Sequence, residues 1–437
     1  MQETLRFITC GSVDDGKSTL IGRLLWDSKL VFEDQLSALA KDSTRWGTQG
    51  DAIDYALLLD GLQAEREQGI TIDVAYRFFA TPHRRFIVAD TPGHEQYTRN
   101  MATGASTADV AILLVDARNG VRVQSRRHAR IAQLLGITTF ALAINKMDLV
   151  DFDRAVFDAI CDDFEEILPG AALQPIPLSA LHGDNVTARS ERTPWFDGPS
   201  LLEYLETVQV DRDVTRKPFR FPVQLVLRPS HDFRGYAGQI VSGTIRPGDP
   251  IVVWPSGRTT RVARISTWEG DLNAARAPQS VVLVLEDEID VSRGDLLGTP
   301  DAPVEIAQRV EADLVWMDER PLDPARPYLA KHTTRWVAAE ADRGMVLNQI
   351  GRATITTARP LLFDPYAENR ATGSFILVDP ATNFTAGAGM IVSGVRQQAG
   401  TGPQPSAAER LARLARSAAT DREAVEAVRR ALEEMLT

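Results

Sequence analysis

An octapeptide near the amino terminus has the residue types that hold a phosphate chain. It runs Gly11-Ser12-Val13-Asp14-Asp15-Gly16-Lys17-Ser18, precedes Thr19 and matches the pattern GxxxxGK[ST]. The loop stands between an apolar run typical of a strand and an amphipathic segment typical of a helix. In such a loop backbone N–H groups turn toward the phosphates, Lys17 reaches the β- and γ-phosphate oxygens, and the Ser18 hydroxyl ligates Mg²⁺. The segment therefore predicts a nucleoside triphosphate site.

A second segment has residues that can respond to the γ-phosphate. The run Asp90-Thr91-Pro92-Gly93-His94 ends another predicted strand. Asp90 can hold the Mg²⁺ shell, usually through water, and the Gly93 N–H can bond the γ-phosphate, so that this loop senses whether the phosphate is present. A lone histidine is more often structural, but within this pentapeptide His94 is predicted to orient the attacking water. Thr71, upstream in the chain, is a further predicted Mg²⁺ ligand.

Two later loops have the composition that recognises guanine. Asn145-Lys146-Met147-Asp148 and Ser179-Ala180-Leu181 each follow a predicted strand. The Asp148 carboxylate can accept hydrogen bonds from N1–H and the N2 amine of guanine, whereas adenine would leave it buried and unpaired. The Lys146 stem can cover the base face, and Asn145 can tie its loop to the phosphate loop. A backbone N–H of the 179–181 loop is expected to bond the guanine O6.

The phosphate loop, the segment at Thr71, the 90–94 segment and the two guanine loops are five elements that follow one another along the chain, and together they predict a protein that binds and hydrolyses GTP. His94, Lys17 and Thr71 are assigned to catalysis, since positioning and charge neutralisation dominate phosphoryl transfer. The predicted Mg²⁺ ligands are Ser18, Thr71 and Asp90. A later helix has a row of arginines for which a solvated face is favoured over a contact patch: Arg122, Arg126, Arg127 and Arg130.

The pattern around these motifs predicts an α/β nucleotide domain, two all-β barrels and a short helical tail. Up to residue 215 short apolar runs alternate with amphipathic segments, which is typical of a mostly parallel sheet wrapped by helices. Residues 216–304 and 305–396 have short alternating stretches and turn signals typical of barrels. Residues 397–437 form a linker and two predicted helices. The elements predicted for the first part are strands Arg6–Cys10, Arg85–Ala89, Val110–Val115, Thr139–Ile144 and Leu173–Pro177, and helices Gln124–Leu135 and Arg154–Leu168.

The composition is typical of a soluble globular protein. The 437 residues are 44% hydrophobic and 24% charged, which fits two to four domains. A net charge of −11 argues weakly against a basic nucleic-acid-binding face. Neither cysteine has a metal-ligand neighbour, and no signal-peptide pattern or apolar stretch of about 20 residues is found. We therefore expect a cytoplasmic location.

The same motifs resemble those of the translation-factor-type GTPases, in which a nucleotide domain precedes two β-barrels. The match is close over Asp90–Met101. The resemblance implies that Val13 and Ile70 form an apolar gate beside His94, and that Asp14 ligates a monovalent cation.

Other segments resemble, more narrowly, the large GTPase subunit of bacterial sulfate adenylyltransferase. The phosphate loop has Ser12 and Asp15 where translation factors typically have histidines. The resemblance extends over about residues 5–394. The longer motifs that carry it are residues 54–66, 231–238, 285–295, 348–351 and 382–389.

This resemblance implies a heterodimer or larger assembly with a smaller subunit that holds the adenylyl-transfer site. Together the pair would make adenosine 5′-phosphosulfate and pyrophosphate from ATP and sulfate, coupled to GTP hydrolysis because the anhydride is strongly uphill. No nucleic acid or membrane partner is expected. The chain has one GxxxxGK[ST] pattern, so a fused kinase activity is not expected within it. The tail from residue 406 is expected to pack on the chain's own surface in preference to docking a partner.

Two other functions stay open. A translation or tRNA-delivery factor would share the nucleotide domain and both barrels, but the phosphate-loop Asp15 and the 54–66 motif favour the adenylyltransferase subunit. A stand-alone regulatory GTPase would explain the first 200 or so residues and leave the two barrels without a role.

Overall fold

The computed structural model describes residues 4–27, 71, 73–210, 214–230 and 233–395. All elements below belong to the compact unit that spans residues 1–394. The 54–66 motif, Ile70 and the helices predicted in the tail lie outside the described residues. In the part that is described, no helix is both long and apolar enough to cross a membrane.

The first part of the chain forms a six-stranded sheet in the order β2-β3-β1-β4-β5-β6. All neighbours are parallel except β2, which pairs antiparallel with β3. All five predicted strands are confirmed, with ends that shift by at most two residues. Its strands are β1 (Thr4–Cys10), β2 (Ala75–Ala80), β3 (Arg85–Asp90), β4 (Val110–Asp116), β5 (Thr139–Asn145) and β6 (Ala172–Pro177).

β2 is absent from the predicted strands, because it is an edge strand with only one buried residue. Tyr76 and Phe78 are exposed on it while Phe79 is buried. β4, by contrast, is buried along its whole length, as a central parallel strand covered on both faces must be.

Helices cover both faces of this sheet. One apolar core packs α1 and α5 on one face, and the other core packs α2, α3 and α4 on the opposite face. The helices predicted at Gln124–Leu135 and Arg154–Leu168 are α3 and α4, and each is confirmed to within one residue. The described helices are α1 (Lys17–Asp27), α2 (Thr98–Ala105), α3 (Val123–Leu134), α4 (Arg154–Ile167) and α5 (Leu201–Thr207), with 3₁₀ turns at Glu95–Tyr97, Met147–Val150 and Val214–Arg216.

The second part is a β-barrel, as predicted. Its strands pair in the order β10-β15-β7-β8-β14-β11-β12, and a further pairing of β10 with β11 closes the ring. The short strands β9 and β13 pair with each other outside it. The bounds are β7 (Arg220–Ser230), β8 (Phe233–Gln239), β9 (Thr244–Ile245), β10 (Pro250–Trp254), β11 (Arg258–Thr267), β12 (Gly270–Leu272), β13 (Ala275–Arg276), β14 (Ser280–Leu285) and β15 (Leu296–Gly298).

The third part is a closed six-stranded antiparallel barrel in the order β16-β19-β18-β17-β20-β21. Its own apolar core contains Trp316, which packs edge-on against Tyr328. The bounds are β16 (Glu305–Trp316), β17 (Tyr328–His332), β18 (Arg335–Ala341), β19 (Ile350–Phe363), β20 (Ser374–Val378) and β21 (Thr385–Gly394). The boundaries at residues 215, 304 and 396 stay predictions.

Polar contacts join the barrels to each other and to the nucleotide domain. The Arg220 guanidinium of the second barrel bonds both carboxylate oxygens of Asp364 in the third, at 2.8 and 3.0 Å. The Tyr366 hydroxyl of the third barrel donates to the carbonyl of Leu135, beside the end of α3 (2.9 Å). The third barrel is therefore linked to both other parts.

Candidate nucleotide-binding site

The octapeptide loop joins the end of β1 to the start of α1, as the sequence predicts. Lys17 is the first residue of α1, and Ser18 lies in its first turn. Gly16 has a φ of +91°, and a Cβ there would stand 2.4 Å from the Asn145 side-chain nitrogen. Only glycine combines this conformation with so close an approach. The result is a tight loop at the carboxyl edge of the sheet, where ligands of open α/β sheets bind.

The Asp15 carboxylate braces the loop from inside. One of its oxygens accepts the Ser12 N–H at 2.6 Å, and the residue is buried. Burial raises the pKa of Asp15, and the charge of Lys17 opposes that rise. The side chain of this predicted nucleotide-binding residue is therefore engaged within the protein.

Lys17 lies inside the same loop. Its ammonium donates to the carbonyls of Gly11 and Ser12 at 3.2 and 2.7 Å. Burial lowers the pKa of Lys17, while the charges of Asp15 and Asp90 act in the opposite direction. A triphosphate entering the loop would offer this buried cation anionic partners in place of neutral carbonyls, which favours the charged form.

The 90–94 segment packs directly on the phosphate loop. β1 and β3 are parallel neighbours, with Thr9 beside Asp90, and the Thr9 hydroxyl donates to the Asp90 carboxylate at 3.3 Å. A Cβ on Gly93 would come within 2.9 Å of the Ser12 and Val13 backbone. The structure thus brings two of the predicted motifs into contact. Thr91 and Pro92, within the 90–94 segment, are buried.

His94 caps the 3₁₀ turn that follows it. Its Nδ1 accepts the Gln96 N–H at 3.3 Å, and its ring centroid lies 6.1 Å from that of Tyr97. Because Nδ1 is an acceptor here, the neutral ring has its proton on Nε2. Nε2 is then the nitrogen that can meet a water molecule. Thr71 is described, but residues 28–70 and 72 are not, so its role as a ligand stays a prediction.

One side-chain amide joins the guanine loops to the phosphate loop. Asn145 donates to the Asp15 carbonyl at 2.8 Å, and its oxygen accepts the Ala180 N–H at 2.9 Å. The Ser179 N–H is also engaged, with the Asp184 carbonyl. Donation to guanine O6 from this tripeptide therefore requires Leu181 or the displacement of one of these bonds. Met147 is fully buried beneath the loop.

The Lys146 ammonium is held by two polar contacts that the sequence did not predict. Lys146 has a left-handed φ of +61°, and its ammonium contacts the Asp14 carbonyl and the Asp116 carboxylate, the latter at 3.0 Å. Burial disfavours the Asp116 charge, but hydrogen bonds from Arg118 and Lys146 outweigh burial and lower its pKa to about 2. The position of Asp116 at the carboxyl end of β4 is the signal that could have identified it.

Asp148 has a polar neighbour that sequence reasoning missed. Its side chain is 10% exposed, and its carboxylate oxygen lies 3.6 Å from Nε2 of His182. A base entering here would meet an acceptor that is nearly buried, the condition under which pairing is most selective. His182 directly follows the 179–181 loop, so its closeness follows from the meeting of the two loops.

Two side chains of helix α3 contact the phosphate loop. Nδ1 of the buried His128 accepts the Gly11 N–H at 3.3 Å, and the Ser125 and Ser12 hydroxyls lie 3.3 Å apart. Burial lowers the pKa of His128 to about 3, so the ring is neutral at physiological pH. The three-residue spacing of Ser125 and His128 on one helix face is the only sequence signal for this contact.

The arginine row of α3 is partly paired with neighbouring side chains. Arg127 lies 3.5 Å from the Glu95 carboxylate, and Arg126 lies 4.0 Å from that of Asp163. Such exposed pairs contribute about 0–1 kcal/mol each. These contacts fit a solvated face and a contact patch equally, so the solvated face stays an expectation.

The oxygen donors at the site suit Mg²⁺ bound together with phosphates. Among the described residues no group of three His, Cys, Asp or Glu side chains could hold a metal ion. Mg²⁺ on nucleotides, however, takes one or two protein oxygens and completes its shell with phosphate and water. The Ser18 hydroxyl, in the first turn of α1, and the buried Asp90 carboxylate, at the end of β3, are oxygens of this kind.

Comparison with known proteins identifies the family. Residues 2–211 match the elongation factor Tu GTP-binding domain, and residues 338–392 match the GTP-eEF1A C-terminal domain-like family. The bifunctional enzyme NodQ of Rhizobium sp. (strain N33) is 56% identical over 412 residues, which are 90% of this chain and 64% of NodQ. This chain thus spans less than two thirds of that relative.

Relatives of similar length have one shared name. Sulfate adenylyltransferase subunit 1 of Bacteroides thetaiotaomicron is 53% identical over 425 residues, which are 91% of this chain and 88% of that protein. The protein of the same name from Laribacter hongkongensis is 52% identical over 429 residues, covering 94% of this chain and 89% of the relative. The chain belongs to the sulfate adenylyltransferase subunit 1 family, with a GTP-binding domain of the elongation factor Tu type.

Proposed function

We propose that this chain is the GTPase subunit of a cytoplasmic sulfate adenylyltransferase, driving adenylyl transfer by a smaller partner subunit. The observation that carries the GTP part is the Asn145 amide, which bonds the Asp15 carbonyl and the Ala180 N–H at once. It places the base-reading loops against the phosphate loop, so one nucleotide can fill both. The adenylyl-transfer part rests on the relatives' shared name.

Recognition of guanine would rest on Asp148 and on the platform beneath it. The Asp148 carboxylate accepts from N1–H and the N2 amine of the base, and Lys146 lies along the base face. Lys146 cannot swing freely, because Asp116 and the Asp14 carbonyl hold its ammonium. An adenine nucleotide would leave Asp148 without donors, which costs the full desolvation of a charged acceptor.

The triphosphate would lie over the Gly11–Ser18 loop. Lys17 exchanges its bonds to the Gly11 and Ser12 carbonyls for phosphate oxygens, and Ser18 and Asp90 hold the metal side. Mg²⁺ held by these residues would neutralise part of the negative charge of the triphosphate. The Gly93 N–H, on the segment that packs against the loop, would bond the γ-phosphate.

His94 would orient the attacking water. With Nδ1 bonded to the Gln96 N–H, the ring would present Nε2 to the water. The protein would thus contribute positioning, since phosphoryl transfer needs little covalent help from side chains.

The energetic role follows from the product. A phosphosulfate anhydride lies strongly uphill from ATP and sulfate, so its formation needs a second favourable reaction. The chain has one phosphate-loop pattern, which GTP would occupy, so ATP and sulfate are assigned to the partner. The third barrel, linked to the end of α3 through Tyr366, offers a route by which a partner could influence the GTP site.

The test measures GTP hydrolysis by the purified chain alone and with the small subunit, in the presence and absence of ATP and sulfate. We expect hydrolysis to rise only when partner, ATP and sulfate are all present. Hydrolysis indifferent to these additions, or stimulated by ribosomes, would leave the GTP site standing and reject the coupled function.

A further inference from the structure

A contact between the third barrel and the segment after His94 is not explained by nucleotide binding. The Asn348 side-chain amide donates to the carbonyl of Glu95 at 3.0 Å. The two residues are 253 positions apart in the chain, so only the folded arrangement of the domains brings them together. Glu95 directly follows the histidine that the proposed function assigns to the attacking water.

The Glu95 carbonyl organises the whole turn. It accepts the Thr98 N–H, closing the 3₁₀ turn, and the Thr98 hydroxyl at 2.8 Å. In the same turn the Gln96 N–H bonds His94 Nδ1. Asn348 therefore bonds the carbonyl of the Glu95–Gln96 peptide, and the N–H of the same peptide bonds the His94 ring.

Asn348 is itself fixed to the core of the third barrel. Its N–H donates to the carbonyl of the buried Trp316 at 2.9 Å, and the Trp316 N–H donates to the Gln349 carbonyl at 3.0 Å. Asn348 is 7% exposed and has a φ of +62°, a conformation that asparagine and glycine adopt more readily than other residues. The amide thus has little freedom to move unless the barrel moves with it.

A second contact lies next to the first. Arg99, one turn further along, donates to the carbonyl of Met317 at 3.1 Å. Val315, Met317 and Met390 of the barrel also belong to the apolar core of the nucleotide domain. The junction is therefore packed as well as hydrogen-bonded. Two buried atoms at this junction, Nε of Arg99 and Oδ1 of Asn348, have no hydrogen-bond partner. Each could therefore form one more hydrogen bond there.

We propose that Asn348 is a positioning residue for His94, holding the Glu95 peptide so that the imidazole faces the γ-phosphate. This inference rests on the proposed function, since it assumes that His94 orients the attacking water. It also gives the third barrel a role, because a shift of the barrel relative to the nucleotide domain moves the His94 turn through this amide. Asn348 acts through the peptide and does not touch the nucleotide.

The first test needs no nucleotide. Backbone amide hydrogen exchange is measured on the full chain over residues 92–99, in the wild type, Asn348→Gly and Asn383→Gly. Glycine permits the left-handed backbone, so Asn348→Gly removes the amide without backbone strain. Asn383 is the matched control, because it has a φ of +58° in the same barrel and is exposed. We expect about tenfold faster exchange in Asn348→Gly alone. Unchanged exchange, or equal acceleration in both variants, overturns the contact.

The second test measures single-turnover GTP hydrolysis with the full chain in excess over GTP and with the small subunit, ATP and sulfate present. We expect Asn348→Gly to slow hydrolysis about tenfold with GTP affinity unchanged, and Asn348→Asp, which cannot donate to a carbonyl, to behave alike. In a His94→Ala background the same substitution should have no further effect, because the two residues act as one unit. Equal losses in both backgrounds, or unchanged or faster hydrolysis, overturn the positioning role. A chain that binds no GTP rejects the proposed function instead, and amide exchange still decides the contact.

Discussion

The Asn145 side chain donates to the backbone carbonyl of Asp15 at 2.8 Å, across 130 positions of sequence. Its oxygen accepts the Ala180 N–H, so one amide spans three loops. Both bonds are buried, and each would leave an unpaired backbone group if the amide were removed. One side chain thereby joins the predicted guanine loops to the phosphate loop.

The first prediction concerns this amide. Asn145→Ala should weaken GTP and GDP to a similar degree, by about 10–100-fold, since it loosens the pocket that both nucleotides share. Equilibrium titration with fluorescent GTP and GDP measures the effect. Asn185→Ala, which removes other buried bonds behind the 179–181 loop, is the control for general destabilisation. Equal losses of affinity in both variants would assign the Asn145 effect to stability alone.

The second prediction concerns the identity of the base. Asp148→Asn should lower GTP affinity by about 10²-fold or more and improve the affinity for xanthosine triphosphate, because the amide pairs with the O2 of xanthine. Competition binding with both nucleotides provides the measurement. His182→Ala, at the residue 3.6 Å from Asp148, should leave the preference for guanine intact. An Asp148→Asn variant that still prefers guanine would show that other groups read the base.

The third prediction tests the support beneath Lys146. Asp116→Asn should reduce GTP affinity and lower the free energy of unfolding at neutral pH by about 1–3 kcal/mol, through loss of charged hydrogen bonds. The folded pKa of about 2 lies below the ordinary value, so this stabilisation is present above about pH 4 and is lost as the pH falls toward 2. Denaturant unfolding at several pH values should show the two proteins converging in acid. A constant difference down to pH 2 would contradict the assignment.

The fourth prediction concerns His128 behind the phosphate loop. Its folded pKa of about 3 lies below the ordinary value of about 6.5, so the unfolded chain binds a proton that the folded chain does not. Stability should therefore fall as the pH drops from about 6.5 toward 3, by about 1.4 kcal/mol per pH unit for each such proton. In His128→Gln the free energy of unfolding should depend less steeply on pH in this range, by the contribution of one proton. His332, whose pKa burial lowers to about 4, remains in that variant as an internal reference. An unchanged pH slope would place the acid sensitivity elsewhere.

Local signals in the sequence were enough for most of the nucleotide domain. Continuous apolar runs such as Val110–Val115 predict buried parallel strands, and the structure confirms them within two residues. β2 was missed because Tyr76 and Phe78 are exposed on an edge strand, so the run is not continuously buried. The two barrels were recognisable from turn chemistry, whereas the ring closure by β10 and β11 depends on pairing that no local pattern shows.

The motif residues could likewise be named from sequence, but their supports could not. Asp116, His128 and Asn348 each act on a partner far away in the chain, and none belongs to a nucleotide motif. The internal use of the Asp15 carboxylate was also hidden, because a motif fixes which residues are present and leaves open which way a side chain turns. The roles of the site residues and the tail helices stay predictions.

The most direct test of the coupled function follows two products in one reaction. With the small subunit, GTP, ATP, Mg²⁺ and sulfate present, phosphate released from GTP and adenosine 5′-phosphosulfate are measured together for the wild type and His94→Ala. We predict that the variant binds GTP with nearly unchanged affinity and loses phosphate release and phosphosulfate formation in parallel, by about 10²-fold or more. Full phosphosulfate formation by a variant that no longer hydrolyses GTP would contradict the coupling.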